Sequence, residues 1–525
     1  DRYDVAIVGG ALAGAATALL VLRFAPGASV LLVERQERFG RKVGEATVEV
    51  SGYFLHEILG FRPHLEAAHL PKHGLRFWFA DGPGRSLAEM TEVGSWHVPR
   101  LPSFQLDRAR FDEAALAAAR EAGCEVARPA KVTAVELGWP ESRLSIEGAG
   151  GGGREVAARW VIDASGRQVF LARRLGLLEA VDEHPTAALW GRWRGVADMD
   201  GPAVLGPDPE RPRLPPLVPR RRNATNHFCG YGWWCWVIPL AGGDTSVGLV
   251  YDKRLFELPG EGGGGLAERY RAFLASRPGL AELLAGAEPV DGDFLAYRHL
   301  PYRTSRYAGR GWALVGDAAG FMDPYYSPGL DHLAMSAWAT ARLVADDLGR
   351  RLPDAALDDR LDLHARRFRR SYERWLAALY LGKYELLGDA ELVACAYLVE
   401  TALYYLGIVT PIYRDPESLA NPTFGLENLA SKLSYAFMAR FNRRLNRLAR
   451  HRRATGRYGA KNVGHRFLGP APGLGKDAWP MLREGLELWL RLEAAHLGAR
   501  LRHGRRDLSR PVAAPAAPAG EGAAG

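Results

Sequence analysis

Cysteine is scarce in this 525-residue chain, and so is any long uninterrupted apolar run. The four cysteines, Cys124, Cys229, Cys235 and Cys395, stand far apart without metal-ligand spacing, except for the near pair Cys229 and Cys235. This argues against a disulfide framework and a zinc site and points to a reducing compartment. The longest apolar stretch, Leu392 to Tyr413, is broken by Glu400 and Pro411 and is expected as a buried helix, not a membrane span. No charged-then-apolar leader precedes the first strand-like run, so a cytoplasmic protein is expected, with no membrane partner. Net charge is modest at +8, with the excess gathered between Arg440 and Arg466 and no nucleic-acid module beside it. A solvated basic face is the plain reading, and a dock for an acidic partner the sharper one; nucleic acid is not expected.

An apolar fraction of 47% with 24% charged residues suits a globular enzyme with a sizeable core. Tyr3 to Val8 reads as a buried strand entering Gly9-Gly10-Ala11-Leu12-Ala13-Gly14 and an Ala/Leu-rich helix. This is the design of a dinucleotide cradle: Gly9 permits the turn, a small residue at position 11 admits a pyrophosphate, Gly14 allows close helix packing, and the helix N-terminus supplies free N–H groups. A second strand ends at Glu34, twenty residues beyond Gly14, where a carboxylate can accept ribose hydroxyls. Trp160 to Gly166 is an apolar strand ending Asp-Ala-Ser-Gly, and Ala313 to Gly320 repeats the strand-to-glycine-turn design.

The chain divides by pattern. Residues 1–185 and 295–350 alternate strands and helices and are expected to form one doubly wound α/β domain. Residues 186–294 contain strand-like runs and are expected as an inserted, substrate-binding sheet. Residues 354–505 are helical by periodicity and are placed over a substrate cavity. Glycine runs at Gly150 to Gly153 and Gly262 to Gly265 read as loop tips, Pro207 to Pro219 as an irregular insertion, and 509–525 as a disordered tail.

Together the glycine turn, Glu34 and the Gly316-Asp317 segment resemble the flavoprotein monooxygenase superfamily over about the first 350 residues. Further motifs resemble its flavin-dependent halogenases: Trp234-Cys235-Trp236-Val237-Ile238-Pro239 fits WxWxIP, Phe321 to Gly329 fits FxxPxxSxG, and Gly44-Glu45-Ala46-Thr47-Val48 is similar to a Gly-Glu-Ser-Thr-hydrophobic run. Lys72, five residues before Phe77, stands where that family places its active-site lysine. A tryptophan stripe alone is more often core packing, and a single lysine more often a surface charge; the shared register of the motifs changes that reading.

The resemblance implies a Rossmann-like fold binding FAD, used as FADH2, with Gly9, Gly10, Ala13, Gly14, Glu34, Arg35, Glu45, Ala46, Arg108, Asp317 and Gly329 as cofactor contacts. It implies a halide site, for chloride or bromide, at Thr47, Pro328 and Gly329, and a tunnel or barrier made by Trp234, Trp236, Ile238, Pro239, Tyr326 and Ser327. Reduced flavin and O2 would give a hydroperoxide, the halide hypohalous acid, and Lys72 would direct the halogen onto an electron-rich phenol, pyrrole or indole, free or tethered to a carrier protein. A separate flavin reductase would supply FADH2. Three departures stand out: Pro328 has no N–H for a halide, Tyr326 replaces the glutamate of the tryptophan-halogenating branch, and Glu49 replaces a common proline, where a carboxylate pointing at the flavin would repel chloride. The alternative is a flavin-dependent aromatic hydroxylase that uses no halide. On the helical region, Leu433, Phe437, Phe441, Leu445 and Leu448, flanked by Arg440, Arg443, Arg444 and Arg447, are a candidate carrier-docking face, with core packing the plainer reading.

Overall fold

The computed structural model describes residues 1–79, 86–148, 150–201, 220–259, 264–350 and 353–503. The proline-rich insertion 207–219, two glycines of the 262–265 run and the tail 509–525 lie outside the described residues.

The chain starts as the sequence pattern requires. Strand β1 (Arg2–Val8) turns at Gly9 into helix α1 (Leu12–Phe24), and the chain returns as β2 (Val30–Val33), parallel to β1. Gly9 has φ +103°, and its N–H donates to the Val33 carbonyl. A Cβ on Gly14 would lie 1.8 Å from the Gly9 carbonyl oxygen, so only glycine lets the helix abut the turn. Parallel to β1 on its other side runs Gly153–Asp163, and beyond it Trp312–Leu314. Among the described residues this sheet has eight strands. Helix Gly329–Arg350 is locked to it where the Asp347 carboxylate accepts two hydrogen bonds from the Arg159 guanidinium and one from the Trp160 indole.

The second sheet, nine strands among the described residues, is not confined to 186–294. Its middle strands, Thr186–Arg194, Asp244–Asp252, Trp233–Pro239 and Thr225–Gly230, are antiparallel neighbours from that segment. Leu75–Phe79 then joins parallel to Thr225–Gly230, and Thr91–Ser95 and Arg466–Gly469 complete that edge. Strand alternation separates the tryptophans. Trp233, Cys235 and Val237 pack beneath helices Leu266–Ala275 and Pro278–Leu284, while Trp234, Trp236 and Ile238 face the first domain and the helical region. Gly248, opposite Trp236, makes room for its indole: a Cβ there would lie 2.1 Å from the ring.

Helices Asp354–Trp375, Ala390–Tyr404, Leu429–Ala454 and Trp479–His503 form most of the remainder. The segment Ala390–Arg414 is long and apolar enough to cross a membrane, yet 67% of its most apolar window is buried within the protein, as the sequence reading expects of a core helix. The proposed carrier-docking stripe divides. Phe441, Leu445 and Leu448 are core, with Phe441 edge-on to Trp489, whereas Leu433 and Phe437 are 60% and 36% exposed. Part of the basic excess is paired internally: Arg444 pairs with Glu493, Arg450 with Glu385, Arg452 with Asp389 and Glu391, and Lys461 with Glu391.

Candidate functional site

Two cavities lie on either side of a thin wall. The first, about 980 Å3, runs from Glu34 and Arg35 past Gly9 and Ala13 to Arg108, Asp317, Gly329, Trp234 and Trp236. Its size is at the upper end of cofactor pockets. The second, about 680 Å3, is predominantly apolar and is lined by Lys72, Glu49 and the helical region, including Tyr397, Glu400, Tyr404 and Phe437. None of its described lining comes from 186–294, so the inserted segment expected to hold substrate instead lines the first cavity, and the helices roof the second.

The wall is made by two short segments whose residues divide between the cavities. Ser327 and Gly329 line the first and Tyr326 and Pro328 the second; Glu45 and Ala46 line the first and Val48 and Glu49 the second. Tyr326 and Ser327 both adopt left-handed backbone, φ +70° and +57°, a cost paid at a tight boundary between sites.

The first cavity suits a dinucleotide. Helix α1 opens at Ala11 with no side-chain cap, so its first N–H groups and positive dipole end are free for a pyrophosphate. Glu34 is fixed by the Gly10 N–H at 2.7 Å and the Gln36 N–H at 2.8 Å, and its carboxylate keeps lone pairs for ribose hydroxyls. Arg35, Arg167, Arg173 and Arg174 bring positive charge to the same lining. Gly10 and Gly14 stand behind it as backbone supports, and a Cβ on Gly10 would strike the Glu34 side chain. Burial raises the Asp317 carboxyl, against the pull of Arg167 and Arg108. Arg108 donates to the Val43 and Gly44 carbonyls and to Asp112, and Gly44, φ +87°, leaves no room for a Cβ beside that guanidinium.

Glu45 is held by a residue the sequence reading passed over. Arg192 donates to its Oε1 at 2.8 and 3.2 Å in a buried ion pair that ties the sheet to the flavin side. Two lone charged residues buried 147 positions apart leave no local signal of pairing. The Trp234 indole donates to the Tyr384 hydroxyl at 2.9 Å, Tyr384 to Asp323 at 2.9 Å, and Trp236 to the Ser246 hydroxyl at 3.0 Å. Ile238 lines the cavity beside them; Pro239 ends the strand outside either lining.

Thr47 lies in the wall without lining either cavity. Its N–H donates to the Phe104 carbonyl at 3.0 Å, and its hydroxyl accepts from the Phe104 N–H at 2.7 Å. The group it presents is its carbonyl, which accepts from Lys72 Nζ at 2.7 Å. Of the three expected halide residues, Pro328 has no N–H and that of Thr47 is committed; Gly329, opening its helix, has an N–H without an intrahelical acceptor.

Lys72 is clamped by backbone: its N–H donates to the Ser103 carbonyl, and the Ser103 hydroxyl to the Lys72 carbonyl. Burial lowers its ammonium to about 8, with Glu49 and Asp331 pulling the other way. Glu49 does not point at the first cavity. It lines the second, where Tyr405 donates to its carboxylate at 2.8 Å. Asp331, holding bonds from the Ser51 N–H and the Tyr404 hydroxyl, is pushed up to about 7 by burial. Neighbouring His227, stacked on Phe77, is driven down to about 3 by burial and so is neutral.

The FAD dependent oxidoreductase family matches residues 4–173. A flavin-dependent halogenase of Armillaria mellea is 27% identical over 353 residues, 64% of this chain and 66% of that protein. The 1H-pyrrole-2-carbonyl-[peptidyl-carrier protein] chlorinase of Pseudomonas fluorescens is 29% identical over 364 residues, 66% of this chain and 75% of it. The halogenase PltM, solved with phloroglucinol and FAD, superposes with a TM-score of 0.71 over 94% of this chain and 96% of its own, at 19% identity. The chain thus spans just under two thirds of the Armillaria protein's length. Residues 4–173 are similar to FAD dependent oxidoreductases, and the Rossmann-like fold is shared with PltM along nearly the whole chain. The relatives this chain is similar to include a flavin-dependent halogenase and a carrier-protein-dependent pyrrole chlorinase.

Proposed function

We propose that the protein is a two-component halogenase, taking FADH2 from a separate reductase and placing chloride or bromide on an electron-rich aromatic ring. One observation carries this reading: a buried lysine of lowered basicity stands in a second, apolar cavity, separated from the cofactor cavity by a single layer of backbone. FADH2, when bound, would activate O2, and O2 would supply the two-electron oxidation that converts halide to an electrophilic halogen species. The protein's task is then to contain that species and aim it.

Lys72 suits that task because it is fixed and dry. As an ammonium it hydrogen-bonds the hypohalous acid; as an amine, accessible near pH 8, it takes the halogen as the O–halogen bond breaks, and its proton leaves with the displaced hydroxide as water. Thr47 holds Nζ at one position, and Glu49 and Asp331 set the balance between the two forms. Trp234 and Trp236 line the cofactor side, where their fixed indoles exclude an aromatic substrate from the flavin. The substrate is a small aromatic in the helical-roofed cavity. Carrier-tethered pyrrole is the substrate named for the Pseudomonas relative, and PltM holds phloroglucinol; Leu433 and Phe437 at the cavity edge are the place where a carrier would bring its cargo here.

Pro328 and the committed Thr47 N–H favour a second reading, an aromatic hydroxylase. Mass spectrometry separates them: incubating a panel of phenols, pyrroles and indoles with FAD, a flavin reductase, NADH, oxygen and bromide gives a product with the bromine isotope doublet in the first case and a halide-independent gain of one oxygen in the second.

A further inference from the structure

The first cavity carries positive charge at an end where a bound FAD has no negative charge. Four cations, Arg35, Lys131, Arg173 and Arg174, line it and are also exposed, which places them where it opens to water. They gather at the Glu34 end. Arg35 follows Glu34 in the chain, and strand Ala130–Glu136, which carries Lys131, starts where the Ala130 N–H donates to the Glu34 carbonyl at 2.8 Å. Helix Phe170–Arg174 is tied to that strand by Arg174 Nη2, which donates to the Thr133 carbonyl at 3.2 Å. None of the four makes an ion pair among the described residues. Arg173 Nε donates instead to the Gln168 carbonyl at 3.3 Å and Arg174 Nη1 to that of Phe170 at 3.2 Å, so their charge is held in place without being neutralised. Of the carboxylates in the lining, Glu45 is paired with Arg192 and Asp317 sits in the field of Arg167 and Arg108, which leaves Glu34 at this end.

The charge of the dinucleotide is in its pyrophosphate, which belongs at the uncapped N-terminus of helix α1; the adenosine that Glu34 would hold is neutral. The four cations therefore have no anionic partner in the bound cofactor. Unpaired charge at the mouth of a cleft acts at a distance: it raises the local concentration of an oppositely charged ligand and speeds the encounter. Resting on the two-component reading above, in which every turnover needs FADH2 made elsewhere, we propose that Arg35, Lys131, Arg173 and Arg174 form an electrostatic collar that captures reduced FAD from solution. The collar acts on the pyrophosphate during its approach. What it recognises is the dianionic dinucleotide itself, so a reductase need not dock for FADH2 to be taken up.

The test mixes the flavin-free full-length chain with FAD, and with FADH2 under anaerobic conditions, in a stopped-flow instrument at a series of salt concentrations. Flavin fluorescence or absorbance gives the association and dissociation rates. Wild-type association is expected to slow by at least about tenfold between about 10 mM and about 500 mM salt, as screening shortens the reach of the collar. The double variant Lys131→Gln, Arg173→Gln removes two exposed charges and keeps the contacts of Arg174; thermal unfolding checks its fold. At low salt it should associate at least about threefold more slowly, with a flatter salt slope and a dissociation rate within about twofold of wild type. The charge-retaining pair Lys131→Arg, Arg173→Lys should restore the wild-type slope. Wild-type association and slope in the glutamine variant would overturn the collar. So would a change confined to dissociation, which would make the two side chains contacts of the bound cofactor. These rates are read without halide or aromatic substrate, so they stand apart from the halogenation assay. Wild-type protein that does not release FAD during an assay, with the salt slope still steep, would overturn supply from a separate reductase and leave the collar standing.

Discussion

The ammonium of Lys72 donates to the carbonyl oxygen of Thr47 at 2.7 Å, and the same Thr47 offers its own N–H and hydroxyl to Phe104. One wall residue therefore fixes the lysine on the substrate side while being fixed itself by a neighbouring strand. Halogen transfer gains from such a geometry, since an oxidant that diffuses freely has no regiochemistry.

Replacing Glu49 by glutamine removes a negative charge that favours the ammonium form of Lys72. Lys72 titrates at about 8 with Glu49 present, so its pKa must fall in the variant. In a kcat–pH profile, the limb near pH 8 moves to lower pH in Glu49→Gln. An unchanged limb would show that Glu49 does not act on the lysine.

Arg192→Met leaves the Glu45 carboxylate buried without its cation. Breaking a buried pair from one side typically costs about 3–5 kcal/mol, so the variant should unfold at clearly lower urea and retain less FAD. The double variant Arg192→Met, Glu45→Gln should recover part of that loss. A single variant as stable as wild type would contradict the tie between the sheet and the flavin side.

Gly248→Ala places a methyl group against the Trp236 ring, where a Cβ would lie at 2.1 Å. Displacing the indole costs about 1–3 kcal/mol and disturbs its bond to Ser246. The expected outcome is a shift in tryptophan fluorescence together with less product per flavin oxidised. Wild-type coupling would remove Trp236 from the barrier.

Much of the cofactor side was legible because its determinants are close in sequence: Gly9, Gly14 and Glu34 fall in one strand–helix–strand unit with standard spacing. The alternation of Trp234 and Trp236 likewise gave their shared face. Arg192 on Glu45 was not legible, because a pair formed between two sheets has no periodicity. Periodicity placed helices over a cavity but not the residues that line it, which are gathered from Trp375 to Pro472 by helix packing. One signal was present and not used: Glu400, read as an interruption in an apolar run, is a buried carboxylate, and it pairs with Lys383. The Glu49 carboxylate, which would repel chloride if it pointed at the flavin, lines the second cavity because the short helix it opens, Glu49–Tyr53, sits on the other side of the wall.

Pro328→Ser restores an N–H at the wall beside that of Gly329. If halide is held there, the variant should show a lower KM for bromide at unchanged flavin oxidation. An identical bromide dependence would place the halide elsewhere.

The most direct measurement follows product and flavin together in Lys72→Ala: brominated product by mass spectrometry, and oxidation of FADH2 by absorbance, in the same reaction. With the oxidant made in one cavity and used in the other, the variant oxidises FADH2 at the wild-type rate and yields no brominated ring above the level given by free hypobromite. Wild-type bromination by Lys72→Ala would contradict the assignment of the lysine and, with it, the division of labour between the two cavities.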